Sequence, residues 1–327
     1  MNYNESTVET GRRHYYSSSQ GPFYNANNIF MFYGGGERGE IVECIVRSLG
    51  SDDQIRHVRG ERGSGKTMMS LVISDRLKHR FNIMRYDVPD ISASLLLRHL
   101  LIELCPQKAD LISARQAQVG VGQTEIDAAL DGIVIQLSDS DRNYSQKPYV
   151  LILDSQADID MASTRILELL SSIKVNGEVA MQCIVFHRVS DESARAAGMH
   201  SNTLRTDNHF WLRRLTLAEI SDYLRHHMLL FDFNQRDLFT REMAYFIADR
   251  SEGVLRSINT LARNAFTIAN LEDADKLSMS HLLMAGLPAR AEVSTESGFL
   301  ARHRGGVIAL IGSCVVASAI AAVVFMR

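Results

Sequence analysis

Gly60-Glu61-Arg62-Gly63-Ser64-Gly65-Lys66-Thr67 spells G-x-x-x-x-G-K-T, a spacing suited to the phosphates of a nucleotide. Glycines at these positions let successive backbone N–H groups turn inward as an anion nest, Lys66 can reach the outer phosphates, and the Thr67 hydroxyl can ligate Mg²⁺. Met68 begins a run to Lys78 that is apolar at helical spacing. The loop therefore opens a helix whose N-terminal dipole also faces the phosphates. Residues Gly60 to Met68 are the expected contacts to ATP. Asp154 ends the apolar run Tyr149-Val150-Leu151-Ile152-Leu153, where a carboxylate can hold Mg²⁺ through water beside the phosphates. Thr67 and Asp154 are thus the candidate metal ligands.

Hydrolysis needs a group that orients the attacking water, and the position after Asp154 commonly carries Glu for that purpose. Here it is Ser155, and a hydroxyl is a poor base. Either Gln156, Asp158 or Asp160 takes the role, Gln156 with the least strain, or hydrolysis is slow and binding is itself the signal. Arg205 and Arg256 can stabilise charge developing on the transferred phosphoryl group, from the same subunit or a neighbour. With Lys66, Asp154 and Gln156 they form the candidate catalytic set. His187 and Arg188 follow the apolar run Val179 to Phe186 and can sense the outer phosphate, although a solvated position is the preferred reading for both.

The elements that must position these groups follow from pattern. An aromatic lead-in, Phe23 to Tyr33, ends at Gly34-Gly35-Gly36, and Glu37 to Leu49 reads as an amphipathic helix. A strand with the phosphate loop is expected over Ile55 to Thr67, further strands over Asn82 to Val88, Tyr149 to Asp154 and Val179 to Phe186, and helices at Ser92 to Leu104 and Gln123 to Leu137. The continuous apolar run at 149–154 is of the kind buried on both faces of a parallel sheet. This alternation is that of an α/β nucleotide-binding domain. From Leu217 to Leu287 amphipathic helices take over, as a helical lid. The resulting division is a polar lead-in (1–36), a P-loop α/β ATPase domain (37–211), a lid (212–287), a linker (288–305) and a C-terminal span (306–326).

That span, Gly306 to Met326, is 21 residues without a charge, long enough for a hydrocarbon core of about 30 Å. Arg302, His303 and Arg304 precede it, and the positive-inside rule places the larger N-terminal part in the cytoplasm. The expectation is a single-pass protein of the inner membrane. Of the 327 residues 46% are hydrophobic and 22% charged, an ordinary globular composition. The net charge of −3 supplies no global field for a polyanion, so nucleic acid is not expected as the main partner. Four isolated cysteines, Cys44, Cys105, Cys183 and Cys314, show no metal or disulfide spacing.

With these residues placed, the chain resembles the general secretion pathway protein A family of AAA+ ATPases, whose relatives include a pilus-biogenesis ATPase and the transposition protein TniB. The likeness runs from about Gly21 to Leu287. It is carried by Gly21-Pro22-Phe23 and Phe30-Met31-Phe32-Tyr33, by the loop Gly60 to Thr67, by Leu212 to Glu219 continuing to His226, and by Ser251 to Asn259. The resemblance implies a parallel-sheet P-loop NTPase of the AAA+/ASCE type with a C-terminal helical lid and one C-terminal transmembrane helix. It implies Arg256 as the lid residue that reports on nucleotide, and Arg205 as a candidate arginine finger in a homo-oligomer. The family carries Asp-Glu-Ala-Gln where this chain has Asp154-Ser155-Gln156-Ala157. The implied function is a membrane-anchored ATPase assisting secretion or pilus-type envelope assembly, with a membrane protein of that machinery as partner. Two alternatives stay open, a nucleotide-gated scaffold with little hydrolysis and a transposition-type DNA-transaction ATPase.

Overall fold

A computed structural model describes residues 21–24, 28–50, 55–88, 91–113, 120, 122–138, 147–155, 159–175, 177–189, 205–206, 208–231, 238–274 and 276–286. Its strands are β1 (Arg56–Gly60), β2 (Asn82–Val88), β3 (Tyr149–Ser155), β4 (Lys174–Val175), β5 (Glu178–Val179), β6 (Met181–Arg188), β7 (Arg205–Thr206) and β8 (His209–Leu212). Six of them form one sheet in the order β2-β3-β6-β1-β8-β7. Pairing is parallel from β2 to β8, and only the short edge strand β7 runs antiparallel to its neighbour. The C-terminal ends of β1, β3 and β6 therefore open on the same rim.

The sheet is covered on both faces, and the continuous apolar runs of β3 (Val150–Leu153) and β6 (Cys183–Phe186) are buried on both. Val150 and Ile152 face a core shared with helices α1 (Arg38–Ser48) and α2 (Lys66–Leu77), through Ile45, Met69 and Ile73. Leu151 and Leu153 face the opposite core, built with α3 (Ala93–Leu104), α4 (Gln123–Ser138) and α5 (Met161–Ser172). Two-residue periodicity alone divides neighbours of one run between two cores.

β1 departs from that composition, and its polar residues have defined roles. Arg56 is fully buried. Its guanidinium donates to Gln182 Oε1 on β6 at 2.9 Å and to the Ser48 carbonyl, at the C-terminal end of α1, at 2.7 Å. A cation at a helix C-terminus meets carbonyls that have no partner within the helix. On the other face, His57 lies between His187 of β6 and His209 of β8, with its Nδ1 2.8 Å from His187 Nε2.

Past β8 come α6 (Leu217–Leu230), α7 (Arg241–Ser251), α8 (Leu255–Leu271) and α9 (Met279–Ala285). α6 starts with a capping box in which Thr216 and Glu219 satisfy each other's backbone amides. The four helices enclose a third core that also takes in Phe23 of the lead-in, stacked on Phe266 at 6.1 Å and edge-on to Phe239 at 5.9 Å.

Two expectations are corrected. The strand foreseen over Val179 to Phe186 is β6, displaced to Met181–Arg188. Val179 belongs instead to the antiparallel β4–β5 pair, whose turn holds Gly177 at a positive φ of 85°. The foreseen transmembrane helix has no support: no helix among the described residues is long and apolar enough to cross a membrane, and 306–326 lies outside the described residues. The longest described helix, α8, buries Ile258, Leu261 and Ala265 and turns Arg263 toward the opposite side, the one-sided pattern of a globular helix. The membrane-anchored architecture is accordingly withdrawn, together with the membrane partner and the inner-membrane location.

Candidate nucleotide-binding site

The loop 60–65 leaves β1 and delivers Lys66 to the first position of α2. Gly63 and Gly65 have φ of 84° and 98°, where an L side chain is strained. A Cβ on Gly63 would also stand 2.6 Å from the Cβ of Arg256. The lid comes that close because the Arg256 amide donates to the Gly63 carbonyl at 3.1 Å. Loop and lid thus share a backbone hydrogen bond, and α8 begins at the phosphate loop.

Lys66 is buried, with its ammonium donating to the Gly60 and Glu61 carbonyls at 2.8 Å each. Burial pushes its pKa down to about 8, opposed by Asp154. Asp154 is 4% exposed. Burial holds its carboxyl above the ordinary range, while a hydrogen bond from Thr67 works the other way. Its Oδ2 has no hydrogen-bond partner, and the guanidinium of Arg85 stands 3.7 Å from it. A dry carboxylate oxygen of this kind beside a threonine hydroxyl fits a divalent cation, which prefers oxygen ligands and adjoining water.

These groups line a cleft of about 410 Å³. Its charged lining is Arg38, Arg62, Lys66, Arg188 and Arg256 against the single carboxylate of Asp154, so the field inside favours a polyanion. Its far end is aromatic, with Tyr24, Phe32 and Tyr33 from the lead-in facing Tyr223 and His227 from α6. Burial pushes His227 down to about 3, so this imidazole is neutral. Tyr223 donates to Asn259 Oδ1 at 2.6 Å, which leaves the Asn259 amide nitrogen as a donor in the lining.

Of the residues singled out in the sequence, Arg62, Gly63, Gly65, Lys66, Thr67, Met68, Asp154, Ser155, Arg188 and Arg256 come together at this cleft. Gly60 and Ser64 do not line the cleft. Glu61 turns away to Arg214, whose Nε lies 2.9 Å from Glu61 Oε1, and Arg214 also pairs with Glu252 at the end of α7. Asp160 is committed elsewhere, since its Oδ1 accepts from the Ser163 amide at 2.6 Å and caps α5. Gln156 and Asp158 lie outside the described residues. Arg205 sits on the edge strand β7, with its backbone paired to Phe210. His187 meets His57 of the adjacent strand on the same face of the sheet and does not line the cleft. Sequence reasoning missed Arg38, Tyr223, His227 and Asn259. The aromatic lead-in was its one pointer to the far end.

A parallel sheet in this order, a phosphate loop between its first strand and the next helix, an acidic end to β3 and a helical lid define the AAA+-type P-loop fold. Comparison with solved structures gives the same fold. Cdc6p from Pyrobaculum aerophilum is similar over 80% of this chain and 70% of its own, with 12% identity and a TM-score of 0.53. A chain of the Drosophila ORC bound to DNA gives 12% identity and 0.49 over 87% and 67%. The Thermotoga maritima RuvB Holliday junction branch migration motor gives 14% and 0.42 over 77% and 68%. The chain spans about two thirds of the length of these structures. No family model and no curated protein matches it. The likeness reaches the broad AAA+/ASCE fold and not the secretion family in particular, so the assignment to envelope assembly is withdrawn with the membrane anchor.

Proposed function

We propose that this chain is an AAA+-type ATPase that binds Mg·ATP in the cleft and acts in a DNA transaction. The observation that carries the nucleotide part is that one cleft is lined by five cationic side chains, a glycine-rich loop and a buried carboxylate with one oxygen lacking a hydrogen bond. The amides of the loop and Lys66 would hold the phosphates, Thr67 and Asp154 the magnesium ion, and the aromatic far end the base. Bound Mg²⁺ would neutralise phosphate charge; the chain's own residues position the phosphates and report on them. Arg256, whose backbone is already tied to Gly63, would report the outer phosphate to the lid, and Arg205 would serve a neighbouring subunit of a homo-oligomer. The DNA-transaction part rests on the motif likeness to the transposition branch, one of the two alternatives that remain once the membrane reading is withdrawn, and it replaces the expectation drawn from net charge that nucleic acid is not the main partner.

Mg·ATP at about a hundred times its Kd should stabilise the full chain by roughly 2.7 kcal/mol, read as a thermal shift, and Lys66→Ala should abolish that shift. A folded wild-type protein that shows none would sink the nucleotide reading. Anisotropy of labelled duplex DNA with and without ATP tests the second part, which fails if neither condition gives binding. Ser155 favours a further reading, a nucleotide-gated scaffold with little turnover. Phosphate release at background level from an ATP-saturated protein would select it.

A further inference from the structure

Ser155 leaves the water-orienting role open, and a carboxylate stands on the neighbouring strand. β2 pairs with β3 in parallel register, with Asp87 directly opposite Asp154. Registered residues on adjacent strands stand about 4.8 Å apart and point to the same face. That face is the one under α2: Ile83 packs in the α1–α2 core while Met84 and Tyr86 pack in the other. Arg85 confirms the alternation, since its Nε donates to Ser70 Oγ of α2 at 3.1 Å. One guanidinium nitrogen of Arg85 then reaches both acids, 3.5 Å from Asp87 Oδ2 and 3.7 Å from Asp154 Oδ2. The two carboxylates differ in hydration, with side-chain exposures of 51% for Asp87 and 5% for Asp154. Asp154 Oδ2, the oxygen that Arg85 approaches, is buried without a hydrogen bond and belongs to the cleft lining, while Asp87 stands one strand out from that lining.

We propose that Asp87 is the carboxylate that orients and deprotonates the attacking water, with Arg85 as its positioning residue. The proposal rests on the Mg·ATP reading above. Asp154 is the dry acid suited to a cation and Asp87 the wet one suited to water. In the step, the water oxygen forms a bond to the γ-phosphorus and the bond from that phosphorus to the bridging oxygen breaks, its electron pair leaving on ADP. The water's proton passes to Asp87 and then to solvent. Asp160 is excluded by its cap on α5. Gln156 and Asp158 are the competing residues to be separated by experiment, each by its Ala variant.

The test uses the full chain, with wild type, Asp87→Asn, Gln156→Ala, Asp158→Ala and Asp87→Asn combined with Ser155→Glu. Three quantities are read: the Kd for Mg·ATP, phosphate release, and the identity of the bound nucleotide after acid quench. Asp87→Asn should leave Kd within about threefold and lower kcat by roughly a hundredfold or more, the usual contribution of a general base. Its bound nucleotide should remain ATP where wild type holds ADP, and adding Ser155→Glu should recover turnover. Three results would overturn the proposal: unchanged turnover in Asp87→Asn, a Kd that rises tenfold or more in step with lost turnover, or turnover lost in Gln156→Ala alone or in Asp158→Ala alone. Wild type that binds ATP and releases no phosphate would also overturn it while leaving the binding reading intact. Wild type that binds no ATP would remove both.

Discussion

Arg56 carries the clearest lesson at the scale of single residues. An arginine in the central strand of a parallel sheet looks out of place in the sequence, where neighbouring strands are apolar. Its place is explained by partners that lie 8 and 126 positions away, Ser48 and Gln182. Replacing it by methionine keeps length and apolar volume but leaves the Ser48 carbonyl and Gln182 Oε1 short of charged donors. Arg56→Met should cost about 2 to 4 kcal/mol, measured as a lower urea midpoint with an unchanged m-value. The candidate site divides in the same way between local and distant signals. Gly60 to Thr67 is legible because phosphate binding needs those types at that spacing within one turn of chain. Asp154 is legible because it ends an apolar run. Tyr223, His227 and Asn259 are not, since only the closing of α6 and α8 over the lead-in brings them to the cleft. Asp87 escaped for a related reason: its position opposite Asp154 is a property of strand register, which no single segment encodes.

Between elements, the junction of sheet and lid is built from arginines. Arg38 is buried and donates to the carbonyls of Gly36, Ser64 and Arg213, tying lead-in, phosphate loop and the approach to α6. Burial, with Arg213 beside it, pushes this guanidinium down to about 10. Arg213 chelates Glu219 of the capping box at 2.6 and 2.7 Å, which holds the Glu219 carboxyl down at about 2. Arg214 links Glu61 of the loop to Glu252. The turn from α7 into α8 closes this junction at Gly253, with φ of 79°; a Cβ there would meet the Leu215 carbonyl oxygen at 2.3 Å. Gly253→Ala should therefore destabilise the fold by at least about 2 kcal/mol through strain and the clash with backbone, and equilibrium urea unfolding reads it directly. Long elements such as α3, α4 and β3 were legible from their periodicity. The two-residue strands β4, β5 and β7 and the four-residue β8 were not, because segments that short show no period and are fixed by their neighbours.

Across the whole molecule, histidines set the response to acid. Burial pushes His57 to about 3, His187 to about 4 and His227 to about 3, the first also disfavoured by His187 and Arg59. Each is neutral in the fold, while the unfolded chain takes up its proton near pH 6.5. The stability they permit is complete above about pH 6.5 and declines as pH falls from there toward 4, by up to about 1.4 kcal/mol per pH unit for each. Urea midpoints at fixed ionic strength should fall between pH 7 and 5, and His57→Phe should flatten that slope. Two of the three histidines sit on β1 and β6, and of the five residues of β1 only Val58 belongs to an apolar core. Amide hydrogen exchange therefore should distinguish the two halves of the sheet. At neutral pH, β1 and β3 should exchange together, through global unfolding. Near pH 5, the β1 amides should open at lower free energy than those of β2 and β3, so the strand that carries the phosphate loop is released before the strand that carries Asp154.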